Sequence, residues 1–270
     1  MQIKRFLVFG ASGRSGRQIC RIAKKKQHYV VAVIRNPDQS VLRLSPTLLK
    51  LTILIPRAKD FEDAGIHTAL FDISKASPHE YVKLLHHWRA EVVVWAAGTS
   101  EDELAQTIDY GAQVNVYDAM EEAGVRRVMV VGSIGIWKEG TDWPEWYDEA
   151  ASKSSLLHGS QRSVGRIRSF VPKIVEAKYQ AEHHLRQLKH IDYTIIRPGG
   201  LTIEDASGAA LGKVGVGSTS RELVAQLLVA SISNPGMFGR TIDVLNGDES
   251  LADEIKKVVK EDIDTWVGEG

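Results

Sequence analysis

Three glycines near the amino terminus have a type and spacing that can hold a negatively charged ligand. Gly10, Gly13 and Gly16 separate an apolar run from an amphipathic run. In such a turn the first glycine permits the tight bend, the second lets the backbone approach a pyrophosphate, and the third lets the following helix pack closely. The amides and the dipole at the start of that helix favour an anion. The pattern predicts a dinucleotide site, to which three more side chains of the turn add polar groups: Ser12, Arg14 and Ser15.

The residue that follows the second apolar run indicates which dinucleotide is bound. Sites for NAD usually carry Asp or Glu about 20 residues after the glycines, where it binds the ribose hydroxyls. In this chain the run ends in Ala32-Val-Ile-Arg35, so an arginine takes the place of the carboxylate. Because a guanidinium suits a 2′-phosphate, we predict NADP(H) rather than NAD(H). The alternative for Arg35 is a solvated arginine at the end of a strand.

Further candidate residues lie where two other predicted strands end. Asp72 and Ile73 follow the third strand, and a carboxylate there can accept a hydrogen bond from an adenine amino group. Ala96, Ala97 and Gly98 end the fourth strand, where small side chains leave room for a ligand. Since α/β sheets bind ligands at the carboxyl ends of their strands, we expect all five residues at one edge of the sheet.

The elements that must position these residues alternate between strand and helix. Apolar runs rich in Val and Ile alternate with amphipathic runs, and such strands are typical of a parallel sheet buried on both faces. We predict strands at 4–9, 29–34, 68–71, 91–96, 127–131, 193–196 and 241–245, and helices at 14–26, 104–123, 174–188, 221–231 and 251–266. This order predicts an α/β fold, a Rossmann-type doubly wound parallel sheet with a small C-terminal substrate lobe. One domain then spans residues 1–270, with lobe elements around 199–220 and 246–270.

Two stretches interrupt the alternation. Residues 37–65 exceed a normal connection between strands, and 41–57 are apolar without alternation. We consider an extra helix or hairpin on the sheet edge, or residues translated from an intron. Residues 137–172 follow the fifth strand and contain Trp137, Trp143, Trp146 and Tyr147. So many aromatic residues in one polar loop indicate either a substrate lid or a loop anchored by its own aromatic side chains.

Composition excludes several other classes of protein. The 270 residues contain 34 basic and 34 acidic side chains, so neither nucleic acid nor an acidic membrane is an expected partner. No apolar stretch approaches the roughly 18 residues of a membrane span. A single cysteine, Cys20, and the lack of a signal-like leader predict a cytoplasmic location. No metal site is expected, because the adjacent pairs His86-His87 and His183-His184 point about 100° apart on a helix.

Motifs along most of the chain match those of one protein family. They include the glycine turn, Asp109-Tyr-Gly111, Glu176-Ala-Lys178 and a strand that leads into Arg197-Pro198-Gly199. On these motifs the chain resembles the atypical short-chain dehydrogenase/reductases, in the NmrA-like, NAD(P)H-binding branch. The resemblance implies that NADP(H) binds along the carboxyl edge of the sheet. It assigns the pyrophosphate to Gly10, Ser12, Gly13, Arg14, Ser15 and Gly16, the 2′-phosphate to Arg35, the adenine to Asp72 and Ile73, the nearby ribose to Ala96, Ala97 and Gly98, and the nicotinamide to Ser133, Lys178, Pro198 and Gly199.

One departure from the family pattern affects the predicted chemistry. Reductases of this family use a tyrosine four residues before the lysine to transfer a proton, and here that residue is Ile174. We therefore expect Lys178 to hold the nicotinamide ribose and Ser133 to orient the substrate oxygen. The proton would come from water or from a lid residue such as Tyr147 or His158.

Three functions fit this reading of the sequence. The first is an NADP(H)-dependent oxidoreductase acting on a small organic substrate, aromatic ones included, with activated acceptors favoured. The second is a non-catalytic NADP(H) redox sensor that binds a protein partner, which the missing tyrosine fits. The third is an isomerase or cyclase that retains its nucleotide.

Overall fold

The structure, a computed structural model, describes residues 2–36, 40–44, 52–137, 144, 146–147 and 171–266. Its strands are β1 (Arg5–Phe9), β2 (Tyr29–Ile34), β3 (Ser40–Leu44), β4 (Thr52–Pro56), β5 (His67–Leu70), β6 (Val92–Trp95), β7 (Arg127–Val131), β8 (Asp192–Pro198), β9 (Gly200–Thr202), β10 (Ala209–Leu211), β11 (Ser218–Ser220) and β12 (Arg240–Asn246). The α-helices are α1 (Arg14–Lys25), α2 (Arg57–Asp63), α3 (Pro78–Trp88), α4 (Ala112–Ala123), α5 (Pro172–Gln187), α6 (Arg221–Ser231) and α7 (Leu251–Lys260).

Eight of these strands form the central sheet, in the order β10-β12-β8-β7-β6-β1-β2-β5. All neighbours are parallel except β10, which runs antiparallel to β12. At the centre, Leu7 of β1 lies between Val31 of β2 and Val93 of β6. The strand order reverses between β1 and β6, which is the point where dinucleotides cross such sheets. The predicted Rossmann-type α/β fold is confirmed.

The sheet separates two apolar layers. Alternate residues of β1 point to opposite faces, so that Phe6 and Val8 belong to one layer and Leu7 and Phe9 to the other. Helices α1, α6 and α7 cover the first face, and α3 and α4 cover the second. Burial on both faces explains why these strands are almost purely apolar.

The long connection between the second and third predicted strands contains a hairpin and a helix. Strands β3 and β4 pair antiparallel as a separate two-stranded sheet, and α2 follows directly. Between the extra helix and the hairpin that the sequence left open, the structure has a hairpin, and a short helix follows it. Arg21 of α1 binds Asp60 of α2 through both carboxylate oxygens, at 2.9 and 3.0 Å, which ties this insertion to the main body.

Two predicted helices have different bounds in the structure. The predicted helix 251–266 is wrong beyond Lys260, because Asp262 takes a left-handed φ of 53° and the chain then turns back along β12. Thr265 donates its amide to the Thr241 carbonyl at 2.8 Å. The predicted helix 104–123 is continuous only from Ala112 onwards, because a π-helical turn at Gln106–Gly111 precedes α4.

The regions predicted as lid and lobe are described unequally. Most of 137–172 lies outside the described residues, including Trp143 and His158. Within 199–220, β9 and β11 form a small parallel sheet of their own, whereas β10 joins the central sheet. In the part of the chain that the structure describes, no helix is long and apolar enough to cross a membrane.

Candidate functional site

The glycine turn is packed too tightly for side chains at its first and last glycine. Gly10 has a φ of +74°, and a Cβ on it would lie 2.4 Å from the amide nitrogen of Ala97. A Cβ on Gly16 would lie 2.2 Å from the Gly10 carbonyl oxygen. The Gly13 amide donates to that carbonyl at 2.9 Å and closes the turn. Helix α1 starts here without a side-chain cap, so no side chain competes with an anion for its first amides.

Half of the predicted nucleotide residues line one groove of about 420 Å³. They come from the carboxyl ends of four neighbouring strands, as the fold requires of a dinucleotide site. The glycine turn contributes Gly10, Ser12 and Gly13, the end of β2 contributes Arg35, the end of β5 contributes Ile73, and the end of β6 contributes Ala96, Ala97 and Gly98. The sequence did not single out Phe71, Ser74 or the residues after Gly98 that complete the wall. The shape and the polar groups of this groove fit a dinucleotide.

Asp72 lies next to the groove and stabilises one of its loops, but it does not line the groove. Its Oδ1 accepts hydrogen bonds from the amide of Ser74 at 3.1 Å and from the Ser74 hydroxyl at 2.6 Å. These bonds, with a smaller contribution from Arg35, lower the pKa of Asp72 below its usual value. The Tyr81 hydroxyl donates to the Ile73 carbonyl at 2.9 Å and fixes the same turn. Asp72 therefore orders the loop that presents Ile73 to the groove.

Arg14 lines a neighbouring cavity rather than the groove itself. This second cavity, of about 340 Å³, lies between the starts of α1 and α6 and includes Arg17 and Arg221. Burial, and then the nearby Arg14 charge, lower the pKa of Arg221. Glu204, Asp205 and Glu222 line the same cavity, so its charge is mixed. Ser15 and Gly16 lie in the first turn of α1, behind the wall of the groove.

Lys178 lies beside the end of β6 and forms a buried ion pair. Its Nζ is 2.6 Å from Oδ1 of Asp109, which is fully buried. The other oxygen of Asp109 accepts the Thr99 amide at 3.2 Å. A Cβ on Gly98 would lie 3.0 Å from Asp109 Oδ1 and 3.3 Å from Lys178 Nζ. In the sequence, Asp109 stands out only as part of a motif. Its distance along the chain from Lys178 gives no sign that the two side chains form an ion pair.

The position at which the resemblance would place a catalytic tyrosine is part of the apolar core. Ile174 is 8% exposed and packs with Ala105, Ala177 and Tyr110. Its amide donates to Asp102 Oδ1 at 3.0 Å, which fixes the first turn of α5. An isoleucine in this place supplies no proton to the groove.

Ser133, Pro198 and Gly199 lie together at the carboxyl ends of β7 and β8. The two chains remain bonded there, because the Ile134 amide donates to the Pro198 carbonyl at 3.0 Å. The Ser133 hydroxyl donates to the Ile134 carbonyl at 3.0 Å. Gly199 is confined, since a Cβ on it would lie 2.3 Å from the Gly217 carbonyl oxygen.

A buried ion pair explains why glycine precedes Ser133. Glu182 and Arg197 are both buried and pair with each other. A Cβ at Gly132 would lie 2.6 Å from Glu182 Oε1. The carboxylate thus leaves no room for a side chain at this position.

Tyr147, a candidate proton donor from the predicted lid, is bound to another buried carboxylate. Its hydroxyl donates to Asp243 Oδ2 at 2.7 Å, and Thr265 Oγ1 donates to Asp243 Oδ1 at 3.0 Å. Burial raises the pKa of Asp243 to about 6, against the opposing effect of Arg197. Tyr147 is 3% exposed, so its hydroxyl is enclosed and engaged. Within the described ranges, no group of three or more His, Cys, Asp and Glu residues is placed to hold a metal.

Residues 10–235 match the model of a family described as NAD(P)H-binding. This match covers most of the chain and includes the glycine turn, Lys178 and the strand that ends at Pro198. The chain belongs to the NAD(P)H-binding family.

Individual relatives agree with the fold. The UPF0659 protein C216.03 of Schizosaccharomyces pombe is 28% identical over 249 residues, which is 90% of each chain. The oxidoreductase YlbE of Lactococcus lactis superposes with a TM-score of 0.70 at 18% identity, over 95% of this chain and 97% of its own. The anaerobillin reductase ChuY of Escherichia coli O157:H7 gives a TM-score of 0.64 at 23% identity, over 90% and 98%.

Proposed function

We propose that this protein is an NADP(H)-dependent oxidoreductase acting on a small organic molecule. The observation that carries the proposal is the groove that joins the glycine turn to Arg35 and Gly98, with Lys178 beside Gly98. Arg35 stands where NAD-binding proteins usually carry a carboxylate, which favours the 2′-phosphate of NADP(H). The reductases among the structural relatives support the same class of reaction.

Each part of the groove has a separate task in this proposal. The amides of the glycine turn bind the pyrophosphate, and Arg35 binds the 2′-phosphate. Lys178 donates hydrogen bonds to the ribose beside the nicotinamide, and the Ser133 hydroxyl orients an oxygen of the substrate. When bound, the nicotinamide supplies or accepts a hydride. The chain itself positions the reactants and excludes water from the contact between them.

The apolar surroundings of Ile174 restrict the substrates that such a site can reduce. With isoleucine in the position of the acid, an ordinary carbonyl group has no tyrosine to protonate its oxygen. Activated acceptors such as quinones, iminium ions and conjugated enones need little acid catalysis. We propose that the substrate belongs to one of these classes, with water as the source of the final proton.

A screen for loss of NADPH absorbance with these three classes of acceptor tests the proposal. We expect turnover with at least one class, and a large loss of rate in Lys178→Met. Lys173→Met is the matched control, because Lys173 lies on the same helix and pairs with Glu103 at 2.7 Å on the surface. Equal rates in the two variants would contradict the role of Lys178.

The same isoleucine favours a second candidate function, a redox sensor that binds NADP(H) without turnover. A sensor requires different affinities for the oxidised and the reduced nucleotide. Tight binding of one redox form, with no turnover of any acceptor in the panel, would favour the sensor over the reductase.

A further inference from the structure

The ion pair between Lys178 and Asp109 lies behind Gly98, at one half of the groove. Arg35 and Ile73 lie at the ends of β2 and β5, on one side of the glycine turn. Gly98, with the ion pair beside it, lies at the end of β6, on the other side. A dinucleotide that crosses between β1 and β6 extends its second half towards β6. If the adenosine half binds at Arg35, the pair is next to the half that carries the nicotinamide.

The surroundings of the pair make its charges effective. Asp109 is fully buried and the Lys178 side chain is 16% exposed, so water screens them little. Gly98 has no side chain to separate them from the groove. Asp109 lies in the π-helical turn at Gln106–Gly111, an irregularity that is frequent at functional sites. The carboxylate and the ammonium together place almost no net charge behind this wall of the groove.

We infer that Asp109 sets the relative affinity for oxidised and reduced dinucleotide by cancelling the charge of Lys178. The oxidised nicotinamide ring carries a positive charge, and the reduced ring is neutral. An uncompensated ammonium at this position repels the oxidised form and leaves the reduced form unaffected. Asp109 removes that repulsion while Lys178 keeps its hydrogen-bond donors. This inference rests on the dinucleotide binding of the proposed function, and it does not depend on turnover or on the substrate.

The test measures dissociation constants for NADP⁺ and NADPH by calorimetry, in the full chain and in three variants. Asp109→Asn keeps the size of the side chain and removes its charge, and we expect it to weaken NADP⁺ about tenfold relative to NADPH. Lys178→Met leaves the carboxylate alone, and we expect the ratio to move in the opposite direction. The double variant restores neutrality, and its ratio returns close to that of the original chain.

An exposed ion pair on the same helix provides the control. Lys173 and Glu103 pair at 2.7 Å, but both side chains are more than half exposed. Because surface pairs are screened by water and salt, Glu103→Gln and Lys173→Met are expected to leave the ratio unchanged.

The outcomes separate this inference from the proposed function. An unchanged ratio in Asp109→Asn, with both nucleotides weakened equally, would show that Asp109 has only a structural role and would overturn the inference alone. If Asp109→Asn does not fold, the sign of the shift in Lys178→Met decides, and a shift against NADP⁺ or no shift overturns the inference. Failure of the unmodified chain to bind either nucleotide would overturn the proposed function and this inference with it.

Discussion

The glycine turn and the charged end of the site, beyond β6, β7 and β8, are built on different physical principles. At the glycine turn the backbone forms the site, because Gly10 and Gly16 leave no space for side chains and the turn is closed by main-chain bonds. At the charged end, side chains from distant parts of the chain meet as ion pairs, such as Asp109 with Lys178 and Glu182 with Arg197. In the proposed function the glycine turn binds the ligand by shape and amides, and the charged end sets the charge around it.

This difference means that substitutions at the two ends have different consequences. A change in the glycine turn disturbs the fold and the nucleotide site together, since the turn packs directly on the end of β6. A substitution in the charged end removes one member of an ion pair and leaves the other charge buried without a counter-charge. The effects of such a substitution depend on pH and on the charge of the ligand. Four substitutions test this comparison.

The largest effect is expected from Gly10→Ala. The new side chain requires a left-handed φ of +74° and meets the backbone of Ala96 and Ala97 at 2.4–2.5 Å. We expect the free energy of unfolding to fall by about 2 to 5 kcal/mol in denaturant titration, from conformational strain and overpacking together. Gly124→Ala is the control, because its φ is +69° with nothing within 4 Å of the new Cβ. An equal loss in both variants would show that packing on β6 contributes nothing.

At the charged end, Asp243→Asn is expected to remove a dependence of stability on pH. The folded protein retains the proton of Asp243 up to about pH 6, whereas the unfolded chain loses it near 3.8. The contribution of this group is therefore most favourable below the lower value, and it falls by about 3 kcal/mol as pH rises through this window. We expect the difference in unfolding free energy between the original chain and the variant to follow this course. A difference that is constant between these pH values would contradict the burial of an ionisable carboxyl.

A smaller effect is expected for Arg35→Ala, which changes binding without changing the fold. Loss of a charge-assisted contact with the 2′-phosphate weakens NADPH by about 10- to 100-fold. Binding of NADH, which lacks that phosphate, changes little. Arg126→Ala removes a largely exposed arginine outside the groove and serves as the control in the same calorimetric titrations. Equal weakening of NADPH and NADH would refute the assignment of the 2′-phosphate.

The smallest effect is expected for Ser133→Ala. Its hydroxyl donates to the Ile134 carbonyl at 3.0 Å, and it must give up that bond before it can donate to a substrate oxygen, so the net gain is small. Loss of one neutral hydrogen bond lowers kcat by about fivefold, while affinity for NADPH is unchanged. A loss of several hundredfold would instead identify Ser133 as essential to the reaction.

The same difference between a backbone turn and long-range ion pairs determines which features could be predicted from the sequence. The glycine turn and the residues at the strand ends are local patterns, so the α/β fold and about half of the groove wall follow from periodicity and spacing. The meeting of Asp109 with Lys178, and of Glu182 with Gly132, depends on packing between α5 and the sheet, which no local pattern encodes. The helix predicted up to residue 266 was too long, because Thr265 satisfies its amide on β12 rather than in a helix. The placement of Asp72 at the adenine stays a prediction, and its hydrogen bonds to Ser74 are a local turn interaction that the sequence did not indicate.

The most direct test of the proposed NADP(H) binding is calorimetric titration of the purified protein with NADP⁺, NADPH, NAD⁺ and NADH. We expect NADPH and NADP⁺ to bind much more tightly than NADH and NAD⁺, which lack the 2′-phosphate. Equal affinity for NADH and NADPH would contradict the role of Arg35. If none of the four nucleotides binds, the proposed dinucleotide site is wrong, because the glycine turn would then have only a structural role.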